Sequence, residues 1–155
     1  MKPIQIVRPQ DIDWTQVMDQ GRFSGRRKGL GQGKLVCAMW ELPPGKRSFP
    51  LHFHHVTEEA MYVLSGHAKV RTPEGEHAIG PGDFVAFPAG GVPHQLINDG
   101  SEPLIYLAMS AGQGFDLVEY PDSGKIACAV GQWPDAKRFV FREKDQAGYF
   151  DGEEG

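Results

Sequence analysis

The chain has 155 residues, 40% hydrophobic and 23% charged, which suits one globular domain able to build a core without staples. A net charge of -4 excludes a general attraction to nucleic acid or to anionic membranes. No stretch reaches the ~20 apolar residues of a membrane span, and MKPIQIVRPQ is too polar for a signal peptide, so the expected compartment is the cytoplasm.

Residues 1–34 read as an N-terminal arm. Asp11 to Gln20 predicts a short helix, with Asp11 or Asp13 as its cap. Gly21 to Lys34 is Gly-rich and basic, and reads as a loop. Its charges suit a solvated face, and the functional alternative is that Arg26, Arg27 and Lys28 grip an anionic ligand.

Residues 35–112 read as the core of a barrel. Short runs of β-branched, aromatic and other apolar residues predict strands at Leu35 to Leu42, Ala60 to Leu64, His67 to Arg71, Phe84 to Phe87, His94 to Ile97 and Leu104 to Met109. Turn signals stand between them, among them Pro43-Pro44-Gly45, Ser65-Gly66 and Gly80-Pro81-Gly82. The 20 glycines and 12 prolines are spread along the chain, as an all-β fold with many tight turns requires. Strands this short, with no helical pattern among them, predict an antiparallel sandwich or barrel, and the lack of an internal repeat argues against two barrels. Residues 113–155 read as an extension packing on the barrel, with strand-like pieces at Ile126 to Val130 and Arg138 to Phe141. The tail GYFDGEEG is expected to end in mobile residues. Cys37 and Cys128 sit in apolar surroundings and read as reduced.

Three of the six histidines lie within LHFHHV. In an extended strand, residues two apart share a face, so His52 and His54 point together and His55 points away. Two imidazoles side by side suit a plain core poorly, because each needs a polar partner. With a nearby carboxylate they make half of a chelating site. A turn at Val56-Thr57 would return the chain with Glu58 and Glu59 beside them, and strand parity does not choose between the two. Further on, GPGDFVAFPAGGVPHQLIN would place His94 across the sheet from this cluster. His55, His67 and His77 read as ordinary hydrogen-bonded histidines.

These two stretches resemble the signature motifs of the cupin superfamily. The first holds Gly45, His52, His54, Glu59 and Gly66; the second holds Gly82, Pro88, Gly90, His94 and Asn98. The interval from Glu59 to Gly66 selects Glu59 over Glu58. The sequence departs from the pattern by one extra residue between Gly45 and His52, and by one extra, Gly90 or Gly91, before His94. Both changes fall in turns, where insertions are tolerated. The resemblance implies an all-β, single-domain cupin, a jelly-roll barrel or double-stranded β-helix. It implies one divalent transition metal (Fe, Mn, Ni, Zn, Co or Cu) held by His52, His54, Glu59 and His94, and a homodimer. The basic RRK stretch, HFHH, EYPDSGK and the acidic aromatic tail also resemble a group of small bacterial cupins of unassigned function. Some of these carry the provisional label of sugar-phosphate isomerase.

Three function classes follow. A metal-dependent isomerase or lyase would act on an oxygen-rich anionic small molecule, with Tyr62, Tyr106 and His67 as candidates for moving a proton. An iron-dependent dioxygenase would use the same four ligands. A non-catalytic binding or sensing module is the third, and residues 1–34 lack the pattern of a helix-turn-helix partner. The basic stretch and the family label put the isomerase-like reading first.

Overall fold

Alternation of inward and outward residues builds the barrel wall. In Leu35–Leu42, Ala38, Trp40 and Leu42 are buried while Met39 and Glu41 between them are only partly covered. Glu58–Ser65 turns Met61 and Val63 into the core, and Leu104–Ala111 contributes Leu104 and Tyr106. Burial of such side chains at ~25 cal/mol per Å² of apolar surface is the main force closing the fold.

A computed structural model describes residues 3–112, 114–131 and 135–153. The strands run, in chain order, β1 Thr15–Gln20, β2 Phe23–Gly31, β3 Leu35–Leu42, β4 Phe53–His54, β5 Glu58–Ser65, β6 Ala68–Thr72 and β7 Gly75–Ile79. They continue as β8 Phe84–Phe87, β9 Gln95–Ile97, β10 Leu104–Ala111, β11 Phe115–Tyr120, β12 Lys125–Val130 and β13 Lys137–Arg142. One sheet has the order β1-β2-β3-β10-β5-β8, a second β13-β12-β11-β4 and a third β7-β6-β9. Each strand pair within these sheets is antiparallel. The core runs through the barrel as one cluster that includes Trp40, Leu42, Met61, Val63, Val70, Leu96, Leu104 and Tyr106.

Two residues of the sequence motifs serve the frame. Gly66 has φ +81°, and a Cβ there would lie 2.3 Å from the Pro103 carbonyl oxygen, so only glycine allows this close approach. Asn98 is fully buried; its Nδ2 donates to the Leu42 and Glu102 carbonyls at 2.9 Å each, and its Oδ1 accepts from Gly100 N at 3.0 Å. It thereby ties the turn after β9 to the end of β3.

The N-terminal arm differs from expectation. The helix expected over Asp11 to Gln20 is strand β1, preceded only by a short 3-10 turn at Pro9–Asp11. The basic loop expected over Gly21 to Lys34 is largely strand β2, registered on β3 through Arg26↔Glu41, Arg27↔Trp40 and Lys28↔Met39. Tertiary pairing overrides the weak local preference of a Gly-rich segment. The extension adds a strand that the sequence reading missed, β11, which pairs with β4 through Val118↔His54 and Glu119↔Phe53. Cys37 and Cys128 are both free thiols. The mobile end expected of the tail falls in part on residues 154–155, outside the described residues.

Candidate metal centre

Strands β4 and β5 and one isolated bridge bring the four candidate ligands to one place. His52 and His94 form an isolated antiparallel bridge, exchanging both backbone bonds (His52 N to His94 O 3.2 Å, His94 N to His52 O 2.8 Å). His54 follows on β4, two residues from His52 and therefore on the same face. Glu59 sits on β5 with Met61 and Val63 on the inner side, while Glu58 is exposed. The pairing Glu59↔Ser110 and Glu59↔Phe87 fixes that choice.

The imidazole nitrogens converge on a single carboxylate oxygen. Glu59 Oε2 lies 3.3 Å from His54 Nε2, 3.6 Å from His94 Nε2 and 3.9 Å from His52 Nε2. An ion bonded at 2.0–2.1 Å to nitrogen and oxygen donors cannot have two donors more than about 4.2 Å apart, and all three separations satisfy that limit. His52, His54 and Glu59 form a group whose ligand atoms lie within 4.8 Å of one another, a looser bound than that limit; His94 stands outside the group and reaches it at Glu59.

The outer nitrogens decide which way the inner ones face. His52 Nδ1 lies 2.8 Å from the Pro50 carbonyl, and His54 Nδ1 bonds to Asp116 Oδ2. A carbonyl and a carboxylate only accept, so Nδ1 of each ring donates and Nε2 is the nitrogen turned toward Glu59; without an ion, His54 also carries a proton on Nε2, toward Glu59 Oε2. His94 Nδ1 is buried and has no hydrogen-bond partner; Phe87 stacks on this ring at 3.7 Å and holds its plane. This donor set of three aimed imidazoles and one carboxylate fits a borderline divalent ion.

The electrostatics reflect the crowding. Burial and the neighbouring His94 push His52 down to about 4. Burial also presses on His54, but hydrogen bonds to Asp116 and Glu59 outweigh it and carry this imidazole up to about 9. Burial alone would raise Glu59 and Asp116. The imidazole hydrogen bonds win, and both carboxyls are held below the usual carboxylate range.

The cluster lies on the wall of a cavity of about 390 Å³. Its apolar lining includes Trp40, Phe49, Met61, Phe87 and Leu96, and its polar lining includes Arg27, Tyr106, Ser110, Asp116 and Arg138. Tyr106 is buried, and burial together with Glu59 holds its hydroxyl firmly protonated. Val63 is buried in the core but does not line the cavity, whereas Met61 does both.

The proposed anion-binding trio divides between the two faces of β2. Arg27 lines the cavity beside Trp40, its guanidinium 5.9 Å from the ring centre. Arg26 turns outward into a two-pronged pair with Glu41 (2.8 and 2.9 Å), and Lys28 donates to the Pro9 carbonyl at 2.9 Å. Both outward cations also lie over the Trp14 ring at 5.0 Å. Strand alternation, absent from a loop, is the reason that the three cannot act together. Of the candidates for moving a proton, only Tyr106 lines the cavity. Tyr62 faces outward on β5, opposite in parity to Glu59, and the exposed His67 packs against Gly80.

Asp116 and Arg138 had no signal in the sequence reading. Both stand on strands of the C-terminal extension, and Asp116 lies 62 residues from the histidine it contacts.

Comparison with known proteins finds similarity to cupins. The cupin domain family model matches residues 38–110. A protein of Acidithiobacillus ferrooxidans, provisionally described as a sugar phosphate isomerase, is similar at 28% identity and a TM-score of 0.68, covering 79% of this chain and 80% of the other. A structure described as a sugar phosphate isomerase from a cupin superfamily, from Silicibacter pomeroyi, is similar at 22% identity and a TM-score of 0.76, covering 95% and 98%. The polyketide cyclase RemF of Streptomyces resistomycificus shares 23% identity and a TM-score of 0.62 over 72% of this chain and 81% of the other. No curated protein matches the chain. Among the described residues, no helix is long and apolar enough to cross a membrane.

Proposed function

We propose that this chain, a cupin with its family match over residues 38–110 and a jelly-roll barrel for its fold, is a metal-dependent enzyme of isomerase or lyase type. Its substrate is an oxygen-rich anionic small molecule such as a sugar phosphate. The observation that carries this reading is the convergence of three imidazole Nε2 atoms on Glu59 Oε2 at the wall of a cavity that Arg27 also lines. The two structures described as sugar phosphate isomerases support the substrate class.

His52, His54, Glu59 and His94 would hold one divalent ion, which when bound polarises a carbonyl or hydroxyl oxygen and makes its neighbouring C–H or O–H more acidic. The chain's own residues do the rest. Arg27 and Arg138 present positive charge to an anionic group, one from β2 and the other from β13. Trp40, Phe49, Phe87 and Met61 keep the wall apolar, which strengthens each charge interaction by excluding water. Tyr106 Oη keeps its proton and therefore acts as a neutral hydrogen-bond donor toward a substrate oxygen. Glu59 and Asp116 are committed to imidazoles. The reading also takes the protein as a homodimer, on family resemblance alone, and keeps the cytoplasm as the expected compartment.

Elemental analysis of untagged wild type, His52→Ala and His94→Ala tests the site. About one metal per wild-type chain, lost in both variants, is the expected result. Wild type that stays empty after reconstitution with each candidate ion refutes it. Loaded protein should then exchange solvent deuterium into a sugar phosphate. Oxygen uptake on catechols, thiols or diketones would replace the isomerase with a dioxygenase. A ligand that raises the melting temperature and is never turned over would make the protein a binding module.

A further inference from the structure

We infer that Asp116 is a positioning residue for the metal site, keeping a proton on His54 Nδ1 so that Nε2 is the nitrogen offered to an ion. The inference rests on the proposed metal reading. Asp116 is 8% exposed and stands on β11, outside the family-matched residues 38–110. Its two oxygens have separate tasks. Oδ2 meets His54 Nδ1, while Oδ1 accepts from Val56 N at 3.1 Å and Thr57 N at 3.4 Å. One carboxylate thus orients the ring and pins the turn between β4 and β5, the strands that carry His54 and Glu59.

This division of labour makes the isosteric amide a sharp probe. In Asp116→Asn the backbone N–H groups of Val56 and Thr57 still need an acceptor, so the amide oxygen stays with them. The amide NH2 then faces His54 Nδ1, which can only accept. The ring proton moves to Nε2, on the side where an ion must bind. In Asp116→Ala, Nδ1 keeps the freedom to hold its proton and donate to water. A purely structural Asp116 predicts the opposite ranking, because asparagine preserves the turn better than alanine.

The test is a zinc competition titration against a chromophoric chelator at neutral pH, on the full chain. Asp116→Asn should bind zinc about 10- to 100-fold more weakly than wild type, in the range typical of lost outer-shell partners, and Asp116→Ala should bind more tightly than Asp116→Asn. A second measurement needs no variant: zinc-loaded wild type should show a proton on His54 Nδ1 in long-range nitrogen–proton NMR spectra. Alanine binding no better than asparagine, or a bare Nδ1 in wild type, overturns the inference while leaving the metal site standing. Wild type that takes no zinc or other candidate ion overturns the metal reading, and this inference with it.

Discussion

Replacing Asn98 by alanine removes three hydrogen bonds from a site with no access to water. The side chain is 0% exposed and satisfies the carbonyls of Leu42 and Glu102 and the N–H of Gly100. Each such bond contributes about 1 kcal/mol net, and the Leu42 carbonyl is left buried without a donor while the Glu102 and Gly100 partners lie on an exposed turn, so Asn98→Ala should cost about 3 kcal/mol. For a chain of this length, 1 kcal/mol shifts the melting temperature by roughly 2–4 °C, so the midpoint should fall by about 6–12 °C. Asn98→Asp should be no better, because it sets a carboxylate against two carbonyl oxygens that need donors. The assay is thermal unfolding in the presence of EDTA, which separates frame from metal. A drop under about 2 °C for both variants would refute the clamp and leave the conspicuous Asn98 without a structural role.

The metal-free protein should be most stable near pH 6.5. His54, carried up to about 9, stabilises the fold fully below the ordinary imidazole value and loses that contribution as pH rises through about 9; His52, pushed down to about 4, costs stability as pH falls from 6.5 toward 4. Glu59 and Asp116, both held low, steepen the acid limb, and a melting series in EDTA that peaks at pH 9 or above would contradict this. Gly66→Ala should destabilise by about 3 kcal/mol or more in urea unfolding, since the new Cβ meets backbone at 2.3 Å and φ is +81°. Arg26→Ala should cost at most about 1 kcal/mol and leave phosphate binding unchanged, because its pair with Glu41 is on the outer face; Arg27→Ala should weaken phosphate binding, measured by calorimetry on the loaded protein.

The sequence was most legible where a run of apolar and β-branched residues is bounded by turn signals. β3 and β8 have the ends expected, and the β5, β6, β10, β12 and β13 runs are located to within a few residues. The arm was less legible because Gly25, Gly29 and Gly31 dilute β2, whose stability comes from pairing with β3. The same error bundled Arg26, Arg27 and Lys28 into one site, although a strand sends neighbours to opposite faces. At the metal centre, His52 and His54 announce themselves by spacing. Glu59 could be told from Glu58 only through the family interval, and the register with β10 and β8 supplies the physical reason. Asp116 was invisible, since an isolated aspartate on a late strand carries no periodic signal toward a histidine 62 residues earlier.

The pairing of β11 with β4 sets a clock on synthesis. His52, His54, Glu59 and His94 all precede Val118, the residue that registers with His54, yet β4 is only two residues long and has no other strand beside it. A nascent chain that already holds His52, His54, Glu59 and His94 can form the His52–His94 bridge, but the strand that registers with β4 follows roughly 1–5 s later at ordinary elongation rates. A site built on these four residues is therefore completed by a strand that is made after the last of them.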